Sequence, residues 1–118
     1  MKEEEKQLLL KDLCARLYYG VKIAAKDDDE SYTLLAIHPN KDIAVIGLQF
    51  DDVFATSKIK IEGIKPYLRP LSSMTEEEEI TFLNKENYEI YDWLNAHHFD
   101  YRNLIEKNLA LEAQSEMY

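Results

Sequence analysis

The sequence predicts one α+β domain: an N-terminal helix, a small antiparallel meander or SH3-like barrel of about four strands, and two C-terminal helices. Three observations lead there. Apolar residues recur at helical spacing near the N-terminus, fall into short β-type runs over 21–68, and return to helical spacing beyond 74. Turn-forming clusters separate the middle runs, whereas only three Gly and three Pro occur in the whole chain, too few for a linker or a loop-dominated scaffold. A length of 118 residues, 46% apolar and 31% charged, suits a single foldable domain over 1–118, divided into a helix (1–19), a β-rich core (20–70) and an acidic helical end (71–118).

The first helix, 3–17, places Leu9, Leu10, Leu13, Cys14 and Leu17 on one face, and Glu3, Glu4 and Glu5 in its first turn match the helix dipole. Gly20 supplies the stop. Runs at 21–23, 32–37, 43–48 and 59–62 read as strands, parted by 27–30, by 38–42 and by Asp51 and Asp52. Three consecutive aspartates at 27–29 raise a calcium reading, but the segment lacks the ligand alternation, central Gly and terminal Glu of an EF-hand and reads as a solvated turn. Pro66 and Pro70 bracket a connector leading out of the sheet. Ser73 with Glu76, and Thr75 with Glu78, each fit a capping box that opens a helix over 75–96. Asp100 is placed to cap a last helix, 101–107, with Leu104 and Ile105 inward; Asn108 suits its left-handed close, and 109–111 pack back as a tail.

On the 75–96 helix, Ile80, Leu83, Tyr88, Ile90, Tyr91 and Leu94 share one broad face, while Phe82 and Trp93 fall opposite, among Glu78, Glu86, Glu89 and Asp92. Three arrangements resolve this: a break near 84–87, cover by another part of the chain, or contact with a partner. Under the last, Phe82, Trp93, Glu86 and Glu89 are the candidate partner-binding residues, and a dimer through this helix would hide the same rings.

Charge disfavours nucleic acid. Fourteen Lys and Arg against 23 Asp and Glu leave −9, and 71–118 alone carries eleven acids against three bases. The slightly basic middle owes its charge to Lys41, Lys58, Lys60, Lys65 and Arg69, spaced as outward strand residues rather than clustered. Cys14 stands alone among leucines, which excludes an intrachain disulfide or CxxC pair and reads as a small buried hydrophobe. The N-terminus lacks the apolar run of a signal peptide and no stretch reaches membrane-span length, so a cytoplasmic location is expected, with no membrane partner. The motifs GxGxxG, GxSxG and HExxH and the phosphate-binding GxxxxGK pattern are all missing, leaving no expected cofactor and no assignable catalytic residue. His97, His98 and Asp100 form the one ligand-like cluster. A metal needs further converging groups, with His38 as the remaining candidate, so no metal is expected.

The segment IKPYLRPLSSMTEEE at 64–78, DWLNAHHFDYR at 92–102 and EKQLLLKDLCARL at 5–17 together resemble a family of short proteins of Bacteroides-type gut bacteria. Its members are met in prophage and mobile-element settings and have no established activity. The resemblance implies a bacterial or phage setting and transfers no functional residue. Two functions remain open from the residues themselves. One is a non-enzymatic accessory or protein-interaction protein, for example an acidic mimic that occupies a nucleic-acid-binding protein. The other is a small ligand-binding or enzymatic domain with a site near His38, His97, His98 and Asp100.

Overall fold

The computed structural model describes residues 1–26, 28 and 30–118, so Asp27 and Asp29 of the expected aspartate turn lie outside the described residues. Helix α1 (Glu3–Arg16) starts where the three glutamates place it, and the Lys2 N–H donates to Glu5 Oε1 at 3.2 Å. It tightens into a 3-10 turn, Leu17–Tyr19, closed by Gly20 at φ 65. Its inward stripe is Leu9, Asp12, Leu13 and Arg16, all buried, and Cys14 is exposed. The helix thus buries Leu9 and Leu13 of the expected face, keeps Leu10 and Leu17 packed at the margin of the core, and is rotated just enough to bring Asp12 and Arg16 inside, where they find partners, and to leave Cys14 out. The same turn overturns the expectation of a buried Cys14.

The sheet is larger than four strands. Strands β1 (Lys22–Ala25), β2 (Ser31–His38), β3 (Ile43–Phe50) and β4 (Val53–Lys60) form an antiparallel meander, with β3 and β4 joined through Asp51, at φ 47, and Asp52; the first three fall where expected, but the fourth runs over 53–60 rather than 59–62, and Ile61–Gly63 make a 3-10 turn. A register shift between Leu34 and Ala36 makes a bulge in β2. On the other side of β1 lies β5 (Ile64–Pro70), antiparallel to it, followed by the short β6 (Phe99–Asp100) and β7 (Leu111–Glu112), both parallel to β5. The order is β4-β3-β2-β1-β5-β6, with β7 also on β5: an open mixed sheet of seven strands in which β4 and β6 are the two ends.

The segment between the prolines is thus a strand inside the sheet rather than a connector. Its alternation is plain: Ile64, Pro66 and Leu68 are buried, while Lys65, Tyr67 and Arg69 are half-buried. Pro66 faces Ile23 of β1, while β7 joins β5 only from Tyr67 and β6 only from Arg69. The edge beside Pro66 carries no partner strand among the described residues, so its missing N–H costs no ladder bond there.

Past β5 the chain makes α2 (Glu76–Leu83) and α3 (Asn87–Ala96) in place of one helix, interrupted at 84–86, where propensity is poor. Thr75 and Glu78 form the reciprocal cap, at 3.1 and 2.9 Å, whereas the Ser73 hydroxyl donates to Pro70 O instead. The expected helix at 101–107 is absent. Asp100 does hold the chain there, accepting from Leu104 and Ile105 N–H at 2.9 and 3.0 Å, but Asn103 at φ 61 breaks the helical run, and Asn108, also at φ 61, closes the turns. Leu104, Leu109 and Ala110 then join Leu9, Leu13, Val21, Ile23, Leu34, Ala44, Ile46, Ile61, Ile64 and Leu68 in one core, sealed between α1, the sheet and these turns.

Candidate functional site

The acidic helical end is fastened to the sheet through Arg69, at the end of β5. Its N–H donates to His98 O at 2.8 Å, and its guanidinium grips Glu78 with two bonds of 2.8 and 2.6 Å, donates to Ser73 O at 3.3 Å and lies 4.2 Å over the Phe99 ring. Hydrogen bonding to Arg69 is the main cause that holds the Glu78 carboxyl at about 2, well below the usual range. An aromatic stack continues outward from Phe99: Trp93 at 5.7 Å from Phe99 and 4.4 Å from His97, and Phe82 at 5.8 Å from Trp93. Phe82 and Trp93 are half-buried and pack on each other and on this same chain. Glu86 is exposed at the start of α3 and Glu89 half-buried one turn on.

What α2 and α3 turn outward is the other face. Ile80 is 57% exposed, Leu83 72%, Tyr88 81% and Tyr91 61%, each helix contributing an i, i+3 pair. Only Leu94 of the expected broad face is buried, with Ile90 half-buried. Spacing separates Phe82 and Trp93 from Ile80, Leu83, Tyr88 and Tyr91, but it places Leu94 and Ile90 with the exposed set and does not tell which side is covered. The Arg69 clamp and the Phe99 ring select the side bearing Trp93.

The polar residues 38, 97, 98 and 100 do not converge. His97 lies on the Trp93 ring with Nδ1 3.8 Å from Glu78 Oε2. His98, at φ 63, is buried, stacks 3.8 Å from the Tyr118 ring and leaves Nδ1 without a partner. Burial, reinforced by the Arg16 charge, pushes its pKa down to about 4, so the imidazole is neutral. The Tyr118 hydroxyl accepts from Lys22 N–H at 2.7 Å and donates to Tyr67 O at 2.8 Å, and burial raises its phenol pKa. Both Asp100 carboxylate oxygens are engaged by backbone amides, and His38 is exposed at the end of β2, with β1 between its strand and β5. Among the described residues no group of three His, Cys, Asp or Glu could hold a metal ion. A cleft of about 690 Å³ is lined by Arg69, Ser73, Glu78, Glu112, Gln114 and Tyr118, and one of about 650 Å³ by Lys26, Asp28, Glu62, Lys65, Tyr67 and Gln114; none of the four polar candidates lines either. Partial desolvation lifts the Cys14 thiol above its usual pKa, opposite to what a nucleophilic thiolate needs.

Sequence reasoning missed the buried charge cluster beneath this region. Asp12 accepts from Arg16 Nε at 2.9 Å and from Arg102 Nη1 at 2.7 Å, while Arg16 Nη2 reaches Phe99 O at 2.5 Å. Asp12 and Arg16 stand four residues apart, an ordinary surface pair on a helix, and nothing local marks them as interior. The basic residues of the middle segment also separate: Arg69 is spent on Glu78, Lys65 donates to Asn108 Oδ1 at 3.0 Å, Lys41 lies in a turn, and Lys58 and Lys60 are exposed on β4. No described helix is long and apolar enough to cross a membrane. No family model matches the chain, and no curated protein or solved structure matches it.

Proposed function

We propose that the chain is a non-enzymatic protein-interaction domain whose contact surface is the outer side of α2 and α3. The observation that carries this reading is the exposure of Ile80, Leu83, Tyr88 and Tyr91 among the exposed acids Glu76, Glu77, Glu79, Glu86 and Asp92. Large apolar side chains gathered in a charged setting gain free energy on being covered, at about 25 cal/mol per Å² of apolar surface. The acids select the rim of the partner: an apolar groove bordered by Lys or Arg. In this reading Phe82 and Trp93 hold the two helices in place from behind, and Glu86 and Glu89 flank the contact. An accessory role in a bacterial mobile element is supported by the resemblance of 5–17, 64–78 and 92–102 alone.

The test is capture from bacterial lysate by the tagged native chain, by a Leu83→Ser/Tyr88→Ser variant and by a Tyr18→Ser control. Tyr18, at 91% the most exposed aromatic among the described residues, lies in the turn after α1 and outside both helices. A basic protein retained by the native chain and the control but lost from the double variant supports the surface. A capture indifferent to Leu83 and Tyr88, or no retained protein, overturns it.

A further inference from the structure

Strand β4 ends the sheet, and only its Lys58–Lys60 end carries the charges that protect an edge. Its eight residues pair with β3 in an unbroken register from Phe50↔Val53 to Ile43↔Lys60, and all but Ile59 are exposed. Among the described residues nothing pairs with its outer side. Natural edges are blunted by prolines, bulges, short length or charges. Here β4 has no proline, and the bulge found among the described residues lies between β2 and β3; Lys58 and Lys60 guard one end of the strand, whereas Val53 and Phe54 at the other end are exposed. On an antiparallel edge every second residue points its N–H and C=O outward, so β4 presents a free ladder along its length.

Its charge is antisymmetric end to end. Asp51 and Asp52 lie at the hairpin end, Lys58 and Lys60 at the other, and the stretch between them is neutral. A strand of uniform sign would be matched at one end of this edge and repelled at the other, and a parallel copy would set like charges together. An antiparallel copy matches both ends. We infer that β4 is a self-association edge, on which a second copy of this chain adds its own β4 about a two-fold axis through Thr56.

In that register Thr56 meets Thr56 and Phe54 meets Lys58, and Asp52, in the turn just before the strand, comes opposite Lys60, the last two pairs occurring twice by symmetry. Residues 54, 56 and 58 share the outer face of the sheet, as their partners Gln49, Gly47 and Val45 alternate on β3. The two sheets therefore continue as one without turning a core face outward. Phe54 is already laid over Gly47, where a Cβ would come within 2.6 Å of its ring, and this ring is available to the Lys58 stem of the second copy. Within one chain Asp52 and Lys60 stand at opposite ends of the strand, about 27 Å apart, and cannot pair with each other. Two edges of this length bury less than a standard interface, so the association is reversible and concentration-dependent.

Sedimentation velocity across a concentration series tests the edge, with circular dichroism verifying that each variant folds. The native chain is expected to dimerise. Asp52→Lys and Lys60→Asp, each alone, set like charges opposite twice and are expected to weaken the dimer by about tenfold or more. An equimolar mixture of these two variants restores opposite charges at both ends and is expected to dimerise as the native chain does. Thr56→Lys, which puts two lysines on the axis, abolishes association. A native chain that stays monomeric to about 1 mM overturns the inference. So does a dimer untouched by either single reversal, or a mixture no better than its components. The helical-face reading stands or falls separately, because Leu83→Ser/Tyr88→Ser leaves this edge unaltered.

Discussion

Replacing Asp12 by Asn tests the buried charge cluster most directly. Asp12 and Arg16 are both fully buried, and the single carboxylate serves two guanidiniums: Arg16 at 2.9 and 3.2 Å and Arg102 at 2.7 Å. Asparagine keeps the shape but removes the charge and turns an amide donor toward groups that can only donate. Arg102 is partly exposed and can turn to water; Arg16 cannot, and its Nη1 already lacks a partner. Leaving one member of a buried pair uncompensated costs about 3–5 kcal/mol. A domain of this size holds about 5–15 kcal/mol in all, so the variant loses a large share of its stability. With a urea dependence of about 1.5 kcal/mol/M, the midpoint of unfolding should fall by about 2–3 M. A second variant separates lost attraction from stranded charge. Asp12→Leu/Arg16→Met removes more hydrogen bonds but strands no charge at position 16, and should cost less than Asp12→Asn alone. A loss below about 1 kcal/mol for Asp12→Asn, or a double variant less stable than the single one, refutes the reasoning.

Three further outcomes are expected. Gly20→Ala should cost about 1 kcal/mol by thermal unfolding, entirely from φ 65, because the added Cβ meets nothing nearer than Thr33 Cγ2 at 3.9 Å. Glu78→Gln should destabilise by about 1 kcal/mol at neutral pH. The native Glu78 is held at about 2 against an ordinary value near 4.5, so its contribution is complete above about 4.5 and lost as pH falls toward 2; urea midpoints of native and variant should converge over that window. Proton NMR should show His98 titrating near 4. The unfolded chain binds that proton from about 6.5 downward, so stability falls as pH drops from 6.5 to 4, and a His98 midpoint at 6 or above would contradict its burial.

Much of the fold is legible locally. The start of α1 follows from Glu3, Glu4 and Glu5, its stop from Gly20, the opening of α2 from Thr75 and Glu78, and the left-handed close from Asn108. Each depends on groups within a few residues of one another. Strand β5 was hidden by the rule that prolines punctuate, although Ile64, Pro66 and Leu68 alternate with Lys65, Tyr67 and Arg69. The rule fails because a proline is harmless where the neighbouring strand has not yet begun. The last helix fails for the converse reason: Asp100 binds amides four and five residues on, enough to hold a turn, while the Asn103 conformation breaks the run.

The candidate surface divides the same way. Helical spacing alone separates Phe82 and Trp93 from Ile80, Leu83, Tyr88 and Tyr91, and the signs of the charges along β4 are written in residues 51–60. Local pattern thus carries the first helix, the first three strands of the meander and most of the caps. Which faces lie inside is set by contacts between distant parts of the chain. Asp12 is stabilised in the interior by Arg102, ninety residues away, Arg16 by the Phe99 carbonyl eighty-three away, and Trp93 is drawn inward by a Phe99 ring that Arg69 covers from another strand. Periodicity measures how side chains are grouped around one axis, but burial is settled by the groups that meet them from elsewhere in the chain, and no local pattern encodes those.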